Sequence, residues 1–449
     1  TMRRRPRWNQ ADAPGMKRRR AAAPTLDELE PRLVMSASPI SGIPASIAPF
    51  VAQPAVASDG RIAIGDGIGA REVVVKTWKN TPYVFMINTN NDLFFGHLTI
   101  TQSNVAPWNS YPSFSGWTFL AGAAEEIAVD TWQSSPYIFM VDGLNHLYYG
   151  NLTTVASTTP PWTGQDVFSG WGFLASDAKD VTASQWNGSE YVYMTTTDTT
   201  LYFGELYSKP GAAFPPTPGQ TLFGGWNYLT TGVKSVVVDV WRNAPFVYLI
   251  NGWDQLYYGN LYFDPKAVVP PGQRPTALFS GWTYLAGPAE SVAVSQWNGN
   301  PYLYMIDTSG NLWQGDLTAG QSSSTVPPGS SLFSGWTYLA GPAKSVSIGQ
   351  WNGKPVIYLI TANNDLYYRY WYDVRTEIAR WTYANVPTLS EWTYLIGGAD
   401  QVTTGSWQNN PYVFLTDMNK RLYQGHISMA VSNVAPWNSY VAFSGWSAL

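Results

Sequence analysis

The amino-acid sequence predicts an all-β chain built as a seven-bladed β-propeller, with four antiparallel strands in each blade. Three observations carry this prediction: one unit recurs seven times from residue 71 onward, two tryptophans keep phase within it, and nothing in it has helical periodicity. The first tryptophan stands at Trp78, Trp132, Trp186, Trp241, Trp297, Trp351 and Trp407, with spacings of 54, 54, 55, 56, 54 and 56 residues. The second, at Trp117, Trp171, Trp226, Trp282, Trp336, Trp392 and Trp446, follows in step inside Phe-Ser-Gly-Trp-Thr-Tyr-Leu or a close variant. Together they account for 14 of the 22 tryptophans, so the repeat is not a matter of chance.

The fifth copy shows how the unit is built. Ser291 to Trp297 alternates and is rich in β-branched residues, which suits a first strand. Asn298-Gly299-Asn300 is a turn, and Pro301 to Ile306 is a second strand whose proline sits at its first position, where a missing ladder donor matters least. Asp307 to Asn311 turns the chain again into a third strand, Leu312 to Leu317. A Pro/Ser/Gly-rich loop of variable length leads to the fourth, Phe333 to Leu339.

Radial stacking covers both faces of each such sheet and leaves only short edges. A linear solenoid would need atypical end copies, whereas the last copy, ending Phe443-Ser444-Gly445-Trp446, matches the interior ones. First and last copies also share a loop, Ser103 to Tyr111 against Ser432 to Tyr440. Ring closure accounts for both facts. The expected blades are about 71–124, 125–178, 179–233, 234–289, 290–343, 344–399 and 400–449, within a propeller spanning 58–449.

Composition agrees. Of 449 residues, 12% are charged and 15% aromatic, which suits an aromatic-rich β protein with a large core. Cysteine is absent, so disulfides, thiolate metal sites and thiol nucleophiles are excluded, and His97, His146 and His426 supply a histidine-based zinc site poorly. Residues 1–32 carry nine basic and four acidic side chains, which leaves 26 − 9 = 17 basic and 30 − 4 = 26 acidic residues in the remainder. An acidic body of this kind is expected to bind no nucleic acid, because phosphate neutralisation needs a basic face.

The segment 1–57 reads as a basic, disordered targeting or tether segment, dispensable for folding, with no apolar run long enough to span a membrane. Within it Leu29-Glu30-Pro31-Arg32-Leu33-Val34-Met35-Ser36 resembles the LEPR-XLL element of planctomycete proteins, departing from it at Val34 and Met35. That resemblance implies an exported protein, extracellular or at the cell surface.

The repeat itself, Ser-Gly-Trp-x-x-Leu-x-Gly followed by a Val/Ala strand ending in Trp, an aromatic strand, an Asp/Asn turn and Leu-Tyr/Trp, resembles the PLL-like seven-bladed propeller lectins and more loosely the tectonins. The units here are several residues longer. Where those lectins often have Leu-Trp-His, this chain has Leu147-Tyr148-Tyr149, Leu256-Tyr257-Tyr258 and Leu312-Trp313-Gln314, so their sugar specificity does not transfer. The resemblance implies multivalent, non-catalytic carbohydrate binding at shallow sites between blades, with glycans or glycoconjugates as partners. The alternative is a protein-binding or structural propeller of the cell envelope.

Candidate binding residues fall into two groups. Trp108, Trp162, Trp253 and Trp437, with Trp371 and Trp381, lie outside the repeat phase, where packing does not demand a tryptophan. Tyr148, Tyr257, Trp313 and Tyr423 belong to one of two alternating third-strand sets that must face opposite ways. The in-phase tryptophans read as packing residues. No catalytic constellation, cofactor or metal site is apparent: Asp307 to Trp313 loosely resembles a sialidase Asp-box but does not recur, and turns such as Asn88 to Asp92 read as hairpin turns more readily than as calcium loops.

Overall fold

The computed structural model describes residues 69–102, 110–155, 165–209, 216, 218–264, 266, 274–319, 331–379, 382–431 and 439–449. The predicted tether 1–57 and the loop tryptophans Trp108, Trp162, Trp381 and Trp437 lie outside them. Within them the chain forms seven antiparallel sheets, each from a contiguous stretch of sequence, and the one helical element is a single 3-10 turn at Pro218–Gln220. No described helix is long and apolar enough to cross a membrane.

Blade 5 is typical. Its first strand, Ala289–Trp297, pairs with Asn300–Asp307, which pairs with Leu312–Ala319. Asn298 and Gly299, at φ 50° and 74°, form the two-residue hairpin that joins the first two strands, the conformation Asn-Gly adopts at least cost. The fourth strand differs from the expected single run Phe333 to Leu339. It is divided into Ser331–Phe333 and Thr337–Ala340, both paired with the third strand. The break falls at Ser334-Gly335-Trp336, where Gly335 adopts φ 95°. Ser334 N donates to Asp316 O at 2.9 Å, and the Ser334 hydroxyl accepts from Asp316 N at 3.0 Å, so the offset costs the ladder no partner there.

The second strands are the most apolar because both their faces are covered: every residue of Ser135–Asp142 and Ser189–Thr196 is buried. The core is correspondingly a series of clusters, each straddling two blades. One of them joins Ala70, Val84, Met86 and Phe94 of blade 1 to Trp407, Tyr412, Phe414 and Leu422 of blade 7. The first strands touch in a closed cycle, that of blade 7 (Ala399–Trp407) meeting that of blade 1 (Ala70–Trp78).

A single hydrogen bond repeats at all seven junctions. The second and third strands of each blade are joined by a turn with one left-handed residue, Asn91, Asn145, Thr199, Asp254, Gly310, Asn364 or Lys420, at φ between 58° and 76°. Its carbonyl accepts from the backbone N–H that opens the next blade, at 2.6–3.0 Å. The seventh of these bonds, Ala70 N to Lys420 O at 2.6 Å, closes the ring. Among the described residues closure is therefore made by ordinary junction contacts, with no strand of one end completing the sheet of the other.

Candidate functional site

The in-phase tryptophans are structural. Trp78, Trp132, Trp186 and Trp241 are each at most 4% exposed and donate Nε1–H across the junction to Ser134, Gly188, Asn243 and Gly299 carbonyls at 2.6–2.9 Å. The second tryptophans face the other way: Trp171, Trp336 and Trp392 donate to carbonyls of the preceding blade, Leu120, Leu285 and Leu339, at 3.4–3.5 Å. Trp371, one of the tryptophans outside the repeat phase, is also drawn into packing. Its ring lies 4.7 Å from that of Trp297 in blade 5.

The third strands sort their aromatics as alternation requires. Phe95, Tyr149, Phe203, Tyr258 and Tyr368 are buried, while Tyr148, Tyr257, Trp313 and Tyr423 are half-buried. The backs of Tyr148, Tyr257 and Trp313 rest on the core cluster shared with the preceding blade, so they sit at blade junctions. Their fronts meet a second ring that the sequence reading missed. In Trp-x-Tyr-Leu of the fourth strand the leucine turns inward and the tyrosine outward, so Tyr228, Tyr284, Tyr338 and Tyr394, with Phe173 in blade 2, stand 53–55% exposed. Each makes an edge-on contact with its third-strand partner: Tyr148 with Phe173 at 5.7 Å, Tyr202 with Tyr228 at 6.0 Å, Tyr257 with Tyr284 at 5.5 Å, Trp313 with Tyr338 at 5.6 Å and Tyr367 with Tyr394 at 5.5 Å. The ends of the series differ. In blade 1 the pair is Phe94 with Phe119, and Phe94 is only 2% exposed, while in blade 7 Tyr423 faces Ala448 and has no second ring.

Polar groups flank these rings, all from the turn that precedes the third strand. In blade 5 the Asp307 carboxylate accepts from Ser309 N, Asn311 N and Asn311 Nδ2 at 2.8–3.0 Å, and from Trp313 Nε1 at 2.8 Å. Partial burial works against ionisation there, yet these donors hold the carboxyl below its usual range. In blade 4 Tyr257 donates its hydroxyl proton to Gln255 Oε1 at 3.0 Å, and Trp253, at the tip of the same turn, is 82% exposed. In blade 2 His146 packs edge-on against both Tyr148 and Phe173, at 6.2 and 6.0 Å. In blade 7 Tyr423 OH lies 3.5 Å from Asp417 Oδ2, which also holds Arg421. The turn geometry of Asp307 recurs with Asn88, Asp142, Asn251 and Asp417, which makes the Asp-box likeness of blade 5 a hairpin feature shared by its neighbours.

No family model matches the chain, and no curated protein matches it. Among solved structures it is similar to BBS1N in complex with ARL6DN (TM-score 0.45, 7% identity, 80% of this chain and 91% of that one covered). It is also similar to the SapL1 lectin in complex with alpha methyl fucoside (0.37, 14%, 73% and 95%) and to the WD40 domain of SCAP from fission yeast (0.42, 8%, 84% and 84%). The seven-bladed architecture stands on the chain's own strand order and junctions.

Proposed function

We propose that the chain is a multivalent, non-catalytic carbohydrate-binding propeller, with glycans or glycoconjugates of the cell surface as its ligands. One observation carries this reading: five blades in succession, 2 to 6, present an exposed aromatic ring braced edge-on by a second ring. Sugars offer apolar C–H faces that rest on such rings, and hydroxyls that bond to amide, carboxylate and phenol groups like those of Gln255, Asp307 and Tyr338. An exposed ring gains little from water, and each pair is already held in place, so little side-chain freedom is lost on binding. Sites of this shallow kind bind weakly one at a time. Five on one rigid ring gain from effective concentration when the ligand is a polymer. The resemblance to PLL-like lectins points the same way, and the LEPR-XLL-like element supports export.

A glycan array probed with the full chain tests this. Binding that a free sugar competes away is the expected result, with the triple variant Tyr284→Ala, Tyr338→Ala and Tyr394→Ala losing at least tenfold in apparent affinity for a polysaccharide. Silence across the array, together with capture of a defined envelope protein, would establish the scaffold alternative instead.

A further inference from the structure

The first strands touch in a cycle around the axis of the ring, and their third and seventh residues differ in charge from blade to blade. In blades 1 to 3 the third residue is Glu72, Glu126 or Asp180, whereas blades 4 to 7 place serine or glutamine there. At the seventh position Lys76 of blade 1 meets Asp130 of blade 2 at 2.5 Å, Asp239 stands in blade 4, and the other blades have serine or glycine. Carboxyls are thus crowded onto one side of the axis.

Two of these contacts lack a donor unless a proton supplies one. Glu72 and Glu126 hold the same position on the touching first strands of blades 1 and 2, and two carboxylates have only acceptors. Glu190 occupies the second position of its strand, where the six other blades have proline. It is fully buried, and neither carboxyl oxygen has a hydrogen-bond donor from the protein. The groups facing it are Asp130, already engaged by Lys76, and the phenols of Tyr137 and Tyr193. Around Glu72 and Glu126 the other charges are Asp180 and Arg71, and Arg71 is itself paired with Glu125. Asp180 has Lys179 beside it, and Asp239 has Gln296 and Lys76. Lys76 also acts on Glu190 but is paired with Asp130, so Glu190 is buried with no donor of its own and keeps its proton.

We propose that protons held by Glu72, Glu126 and Glu190 fasten blades 1 to 3 around the axis, so that this side of the ring loosens first as the solution becomes alkaline. Burial raises Glu72 from the ordinary 4.5 to about 7, against a partial pull from Glu126, Ile127 and Arg71. Burial, followed by the charges of Glu72 and Asp180, raises Glu126 from 4.5 to about 9. Glu190 is held well above its usual range by burial and then by Asp130. Between the unfolded and folded values the native chain binds more protons than the unfolded one, so stability is greatest on the acid side and falls as pH rises through 7 and 9.

Thermal melts of the full chain from pH 5.5 to 9.5, beside Glu126→Gln and Glu190→Gln, test the proposal. The wild type should lose melting temperature across this range, with hydrogen exchange rising first in the first strands of blades 1 to 3. Each glutamine variant should show a shallower slope, because its amide cannot ionise. A wild-type melt independent of pH, or variants with the wild-type slope, would overturn the idea. So would abolition of the slope by millimolar calcium, which would make these carboxyls cation ligands. Should a variant fail to fold, calorimetry of the wild type at pH 6.5 in two buffers of different ionisation enthalpy decides: unfolding should release about three protons, one from each of the three carboxyls, and release of none refutes the proposal.

Discussion

Trp241 and Tyr284 both belong to blade 4, yet they mark its two contrasting regions. Trp241, 1% exposed, ends the inner strand, donates across the junction to Gly299 O at 2.6 Å, and has a counterpart in every blade. Tyr284, 54% exposed, stands on the outermost strand, touches Tyr257, and gives way to Ala448 in blade 7. An aromatic present in all copies and buried in each is demanded by closure of the ring. One that is exposed, and that a blade can lose while keeping its place, is free to serve the surface.

The largest effect should follow from attacking the inner region. Trp241→Ala removes a buried ring and its cross-junction bond, and should cost about 3–5 kcal/mol of stability, read from denaturant unfolding. An intermediate effect should come from Gly315→Ala on the third strand of blade 5. A Cβ there would stand 2.5 Å from the Phe333 ring and 2.8 Å from Gly335 O, so the fourth strand must shift at a cost of about 1–3 kcal/mol. The smallest should come from the outer region. Trp253→Ala should change stability by no more than about 0.5 kcal/mol, while glycan binding falls. If Trp253→Ala instead cost as much stability as Trp241→Ala and left binding intact, the division between inner and outer regions would fail.

The inner region was readable in the sequence because packing imposes it seven times over. The Trp spacing, the Asn-Gly hairpins and the alternating first strands each state a local requirement, and the fold follows from their agreement. The outer site was read only in part. Strand alternation singles out Tyr148, Tyr257, Trp313 and Tyr423, but Phe173, Tyr284 and Tyr338, which face the first three, recur in phase just as the packing tryptophans do, and phase alone does not tell the two kinds apart. What separates them from the tryptophans is that the fourth strand is outermost, with one face uncovered, and exposure of that kind belongs to the assembled ring. The carboxyl column is hidden in the sequence for a related reason: Glu72, Glu126 and Asp180 lie 54 residues apart, and only the stacking of successive blades brings them together. The substitution of Glu190 for a recurrent proline was its single trace.

The junction bond from each left-handed turn to the next blade treats Lys420 and Ala70 as it treats the six pairs joined by continuous chain. A ring whose joints are chemically alike has no privileged first member. Cyclic reordering of the blades would preserve every such contact, and copying one whole blade would carry its inner tryptophan, its turn and its outer pair together. The heritable module is therefore the complete blade, and variation such as Ala448 in place of a tyrosine can accumulate in one module without asking its neighbours to change.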